Sequence, residues 1–342
     1  MEANMFMSFT AVVGSVELGL IYAILALGVF LSFRTLNTPD LTVDGSIVTG
    51  SAVSAVVCST LGSPVLGLLL SFVAGGLAGA VTALLNTKLK IEALLAGILV
   101  MLGLYSVNLR ILGGRANIPL TQSPTIYKNA RSVLNTPYSG CLIGIGVLIL
   151  VIILFYLFLN TRLGFALRAT GDNEYMVRSA GVDSSAMRLL GISLSNAFVG
   201  LAGGMLAQYQ STADINMGTG MVVIGLASVI IGEAVFGLIF RNMPLLLRLF
   251  AVAAGAVLYR LVLAVALNSG MPSTDLKLTS AVIVTIALAS GAVSDMLPGR
   301  KKKKTILGQG DVSVRGSSSV PSSRRNPARS ASAGENSGKD GE

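Results

Sequence analysis

The chain has 342 residues, of which 53% are hydrophobic and 12% charged, about half the charged share of a soluble domain. That balance excludes an ordinary soluble globular protein. Its net charge of +9 does not indicate a nucleic-acid surface, because ten Lys/Arg against four Asp/Glu fall from Arg300 onward, where they read as an orientation signal and a lipid headgroup contact. There is no histidine, which excludes a His-based metal site or general base.

Nine apolar segments follow one another, at about 11–33, 46–60, 65–86, 91–110, 139–160, 189–208, 221–240, 245–267 and 278–297. Runs of this length cross a hydrocarbon layer as helices. They lack the two-residue alternation of a membrane barrel. The expected fold class is all-α, a polytopic transmembrane helical bundle of eight to ten spans, nine by direct count. The N-terminus carries no Lys or Arg before the first apolar run. It therefore lacks the charged start of a cleaved signal, and the first helix is expected to be retained. The second segment is short and follows "NTPDLTVDGS" with Pro39, which predicts a broken or re-entrant helix near 37–46. Cys58 and Cys141 lie in or beside apolar runs and read as small buried residues.

Basic residues cluster in the connections 87–90, 161–188 and 241–248 and in the tail. With nine crossings these all fall on one side, which the positive-inside rule makes cytoplasmic. The N-terminus is then outside and the C-terminus cytoplasmic. Segment 111–138 is at odds with this, since it should be outside and yet carries Arg115, Lys128 and Arg131. Residues 1–298 form the expected transmembrane domain. Residues 299–342 are Ser, Gly, Lys and Arg with few large apolar groups, and are expected to be a disordered basic tail. Small-residue stretches such as 75–80 and 200–204 predict close helix packing.

Ionisable and amide groups at membrane depth are costly and are functional candidates by default. Those in or beside the spans are Glu17, Asp40, Asp44, Asn108 and Glu233. Each also has a plainer reading. Asp40 and Asp44 can cap the short second helix, Glu233 can sit at the interface, and Glu17 can be buried against a partner helix. Arg110 can cap a helix end, and Arg260 can snorkel outward. The break at 37–46 is the expected pore-adjacent feature.

A long polar stretch in the middle of the apolar region is "TRLGFALRATGDNEYMVRSAGV", Thr161–Val182. Gly171 permits a turn, Asp172 or Asn173 can cap a new helix, and Glu174 suits its first turn. Gly181 can close it. The result is a two-turn helix at 173–180 with Met176, Val177 and Ala180 on a small apolar face. Two turns are not stable alone in water, so this helix needs a surface to sit against.

That stretch, followed by "LLGISLSNAFVGLAGGM", resembles the cytoplasmic coupling loop of ABC importer permeases of the branched-chain amino acid and ribose permease family. Agreement falls at Thr161, Arg162, Gly164, Ala166, Arg168, Ala169, Gly171, Asn173, Arg178, Gly181 and Val182. Residues 20–53 and 218–237 are similar to the family's opening and late glycine-rich segments. The details of "PDLTVDGS" and residues 94–113 are closer to the subgroup paired with tryptophan/tyrosine-type binding lipoproteins. The resemblance implies a non-catalytic permease subunit in a bacterial cytoplasmic membrane, with no cofactor of its own. Its implied partners are an ATPase subunit carrying ATP and Mg, an extracytoplasmic binding protein and a second permease copy. The implied ATPase-coupling residues are Gly171, Asp172, Asn173, Glu174, Met176, Val177, Ala180 and Gly181. The implied cargo is a small solute, foremost an aromatic or branched-chain amino acid, with sugar or nucleoside import as the alternative. The chain contains no G-x-x-x-x-G-K-[ST] string, so it has no P-loop of its own. An ion-coupled carrier using Glu17, Glu233 and Arg260 is the competing reading from another class.

Overall fold

A computed structural model describes residues 9–134, 138–240, 243–268, 278–282 and 285. Its elements in chain order are α1 (Phe9–Val29), which runs on as a π-helical turn over Phe30–Thr35, then α2 (Thr42–Thr60), α3 (Pro64–Thr87) and α4 (Ala93–Ile111). After these come β1 (Asn117–Pro119), α5 (Ile126–Leu134), α6 (Ser139–Leu159), α7 (Arg162–Asp172) and α8 (Glu174–Ser179). The series ends with α9 (Ser184–Gln210), β2 (Thr212–Asp214), α10 (Met221–Ile239) and α11 (Leu245–Asn268).

Seven of these helices are long and apolar enough to cross a membrane, and α10 is a shorter apolar helix. The protein is a polytopic helical membrane protein, as its composition requires. Most of the ninth apolar segment, 278–297, lies outside the described residues, as does the tail.

The centre of the bundle is α1, α2 and α9. Their apolar windows are 83%, 78% and 72% buried, against 22% for α4 and 33% for α6. The central helices can pack this tightly because glycine and serine line their contacts. A Cβ at Gly75 of α3 would lie 2.9 Å from Gly200 Cα of α9, and one at Gly203 would meet the Ile47 backbone of α2. In lipid, close backbone approach takes the place of the hydrophobic drive.

The helix break is real but shorter than the sequence suggests. It spans residues 36–41, and 42–46 belong to α2. The cause is Asp40, whose Oδ1 accepts from Thr42 N at 2.8 Å and so starts α2 early. Buried backbone polar groups outside regular structure still need partners. Here Leu36 N donates to Leu31 O and Thr38 N to Ser32 O, both at 3.0 Å. The Asp40 carboxylate reaches Asn196, midway along α9, so the chain re-enters the bundle before α2 begins.

At one end of the bundle lie α7, α8 and the start of α9. At the other end, β1 and β2 pair antiparallel with Asn117 opposite Asp214 and Pro119 opposite Thr212, beside α5. This β-end contains the anomalous basic loop, and Lys128 explains part of it. Its Nζ donates to the carbonyls of Leu120, Thr121 and Ser123 at 2.7, 2.7 and 3.0 Å. The ammonium holds the loop together and is not a free surface charge.

Candidate functional site

The polar loop of the sequence folds as two helices with a sharp corner. Thr161 begins α7, its side chain accepting from Gly164 N at 3.2 Å. Arg168 turns back to donate to Leu159 O at 2.9 Å, satisfying a carbonyl at the end of α6 that has no helical partner. Gly171 does not make the turn expected of it. It lies inside α7, where a Cβ would collide with the Thr35 carbonyl and sit 2.9 Å from Leu36 Cα. Its role is close approach to the end of α1. The corner belongs to Asn173, which is extended and accepts from Met176 N at 3.1 Å as the cap of α8. Asp172 is exposed at the end of α7.

The short helix spans 174–179 rather than 173–180. Gly181 follows it with φ +82, and Val182 N donates to Val177 O at 3.2 Å, a C-terminal closure that needs a left-handed residue. The expected single apolar face of Met176, Val177 and Ala180 does not form. Val177 is 6% exposed, whereas Met176 is 72% and Tyr175 83% exposed. Ala180 is also exposed, just past the helix end. Neighbouring residues are about 100° apart on a helix, so Val177 turns inward as Tyr175 and Met176 point out. Tyr175 was not singled out from the sequence, although its place beside Met176 in this polar loop was a usable signal.

Glu174 fixes this small helix to the bundle. Its carboxylate pairs with Arg178 at 2.7 Å and with Arg188 of α9, and it accepts from Ser184 Oγ at 2.9 Å. Arg178 Nε donates to Ser184 Oγ at 2.7 Å. One carboxylate thus joins α8 to the first turns of α9. A cavity of about 640 Å³ opens beside it, bounded by the break at Asn37–Pro39, the α3–α4 turn and Arg188.

The intramembrane candidates do not come together in one site. Asp40, 1% exposed, sits with Asn196 (0%), Thr42 (0%) and Thr82 (2%). Its Oδ2 accepts from Asn196 Nδ2 at 2.6 Å, and the Thr42 and Thr82 hydroxyls are 2.7 Å apart. Among the described residues no cation pairs with it. Asp44 does not cap its own helix. Its carboxylate accepts from Gly220 N at 3.0 Å and Val222 N at 2.8 Å, capping α10 from a distant part of the chain. Asn108, 1% exposed, donates to Gly45 O at 3.3 Å and ties α4 to α2. Glu233 meets Arg34 at 3.0 Å in a half-exposed pair. Glu17, 8% exposed, lies near the β-end. Arg260 stacks over Tyr22 at 5.8 Å.

Comparison with known proteins decides the family. The model of the branched-chain amino acid transport system permease component matches residues 11–289. The chain belongs to that family. It is 36% identical over 296 residues to a tyrosine transport system permease protein of Clostridioides difficile, covering 84% of this chain and 96% of the relative. A probable branched-chain amino acid transport permease of Methanocaldococcus jannaschii is 30% identical over 223 residues, 62% of this chain and 69% of that one. The ribose import permease of Escherichia coli is 26% identical over 213 residues, 61% and 65% of the two chains. No solved structure matches significantly. As an ABC importer permease the protein is a non-catalytic, multi-pass membrane subunit without a cofactor of its own, and its kind implies an ATPase and a binding protein as partners.

Proposed function

We propose that this permease forms the translocation path of an importer for an amino acid, aromatic or branched-chain. The observation that carries this is the tyrosine-permease relative, which aligns over 96% of its own length. The α7–α8 end faces the cytoplasm, in keeping with its four arginines and the positive-inside rule. There α8 docks on the ATPase with Tyr175 and Met176 as its contact, and Asp172 and Asn173 beside them. A large aromatic exposed next to a flexible Met is the kind of anchor that fills a partner's groove. ATP-driven closure of the ATPase pair pushes α8, and Glu174 passes that movement to α9 through Arg188. Because α9 also carries Asn196, its displacement bears on the Asp40 break and on α2, as in switches between two packed states. A second permease copy completes the pore, and the binding protein delivers solute at the β-end.

The test is reconstitution of the permease with its ATPase and binding protein in liposomes. The expected result is ATP-dependent, vanadate-sensitive uptake of labelled tyrosine or leucine and not of ribose. Ribose or guanosine uptake would replace the substrate class. Uptake driven by an ion gradient without ATP would overturn the proposal. Exchanging the binding protein is expected to change the solute carried, because the permease has no Trp and eight Tyr with which to select an aromatic cargo.

A further inference from the structure

At the β-end a cavity of about 150 Å³ is enclosed by α1, α5, α6 and the end of α9. It plays no part in the coupling geometry described above. Its lining includes the Glu17 carboxylate, 8% exposed and without an ion-pair partner among the described residues; the Tyr209 hydroxyl and the Cys141 thiol lie against it as hydrogen-bond neighbours. Gly140 makes room for that carboxylate, since a Cβ there would collide with it. Two groups on the wall lack a hydrogen-bond partner, Ser139 Oγ, on a residue 1% exposed, and Tyr127 Oη. Buried polar groups left unpaired cost free energy, and such orphans ask for a ligand or ordered water. Burial, reinforced by the charge of Glu17, pushes the Tyr127 hydroxyl's pKa up, so it stays protonated.

Glu17, Ser139 and Tyr127 therefore place acceptors together on one side of the cavity, which suits an ammonium group with its three donors. A cation is also present on the same wall. Lys128 keeps its charge there but gives its protons to backbone carbonyls, so Arg131, exposed and lining the cavity, is the cation with donors to offer an anionic group. At about 30 Å³ per water, the cavity has room for a compact polar head and little more.

We infer that this cavity is a binding site for a small zwitterionic head, with the ammonium held by Glu17, Ser139 and Tyr127 and the anion by Arg131. Two sources carry that chemistry, a free α-amino acid and the headgroup of an ethanolamine phospholipid. The amino-acid source rests on the proposed transport reading; the lipid source does not.

The experiment uses the full-length permease in phosphatidylcholine nanodiscs with labelled L-tyrosine and, separately, labelled glycerophosphoethanolamine. At least one probe is expected to bind saturably. N-acetyl-tyrosine, which lacks the ammonium, and tyrosine methyl ester, which lacks the carboxylate, should each compete at least tenfold more weakly than tyrosine. Glu17→Gln is expected to lower affinity at least tenfold. Arg131→Gln should weaken binding severalfold and abolish the preference for acid over ester. Binding of glycerophosphoethanolamine alone, lost in discs containing phosphatidylethanolamine, assigns the site to lipid. Binding of tyrosine that survives in those discs assigns it to the free amino acid. The inference is overturned if neither probe binds saturably, if tyrosine binds and N-acetyl-tyrosine competes as well as it does, or if Glu17→Gln leaves the affinity of the probe that binds unchanged. ATP-driven amino-acid uptake that persists in the assembled importer while no binding is found sinks this site and leaves the transport proposal standing.

Discussion

Asp44 shows how a single side chain acts here through geometry that no local pattern reveals. In sequence it is an acidic residue near the start of α2. In space it caps α10, with both oxygens on backbone N–H groups at the positive end of that helix's dipole. Asp44→Ala is expected to cost about 1 kcal/mol of stability and Asp44→Asn less, read as a lowered midpoint in thermal unfolding of the detergent-solubilised protein. An unchanged midpoint for the alanine variant would show that water replaces the cap. Gly200 belongs to the same scale. A Cβ there would meet the Ser71 carbonyl and lie 2.9 Å from Gly75 Cα. Gly200→Val must therefore separate α3 from α9, at about 1–3 kcal/mol, with a lower unfolding midpoint than Gly103→Val, where a Cβ meets nothing within 4 Å.

The elements were legible in the sequence to different degrees, for physical reasons. Segment 139–160 reads as a span because it is continuously apolar, and α6 is Ser139–Leu159. The break after α1 is legible because Pro39 and the polar residues around it cannot continue a helix. Its end was misplaced although Asp40, read from the sequence as a possible cap of the second helix, holds Thr42 N and starts α2 there; the break was drawn past that cap to 46. The β1–β2 pair was not legible at all. Three residues on each side carry no periodicity, and their partners are 93 to 97 positions apart. In α8 the cap at Asn173 and the closure at Gly181 are local chemistry and could be read. Which apolar residue turns inward depends on where α9 lies, and that could not be read. Tyr175 and Met176 are the outward pair, so Tyr175→Ala with Met176→Ala should alter stability by no more than about 0.5 kcal/mol. The same double variant is expected to reduce co-purification of the ATPase severalfold. A double variant that retains the ATPase fully would move the docking contact elsewhere on α7–α8.

At the scale of the whole molecule, orientation is the claim on which the transport reading turns, and the charge pattern has to be weighed together with the fold. Counted along the sequence, segment 111–138 contradicts the positive-inside rule with three basic residues. In the structure the Lys128 ammonium is engaged by three carbonyls and Arg131 lines the cavity beneath α5. Residues that satisfy the protein's own backbone, or that face a polar cavity, are poor indicators of which side a loop occupies. The arginines at the other end have structural tasks too, Arg178 and Arg188 on Glu174 and Arg168 on α6, but Lys88 and Lys90 lie in the α3–α4 turn at that end as well. That balance supports the proposed orientation, with the α7–α8 end in the cytoplasm. With Cys58 and Cys141 replaced by Ser, a single cysteine at Gln122, exposed at the β-end, should react with a membrane-impermeant maleimide on intact cells. A cysteine at Ser179, exposed at the end of α8, should react only after the membrane is permeabilised. The opposite pattern would put α8 on the far side from any ATPase, and the coupling role of Tyr175, Met176 and Glu174 would fall with it.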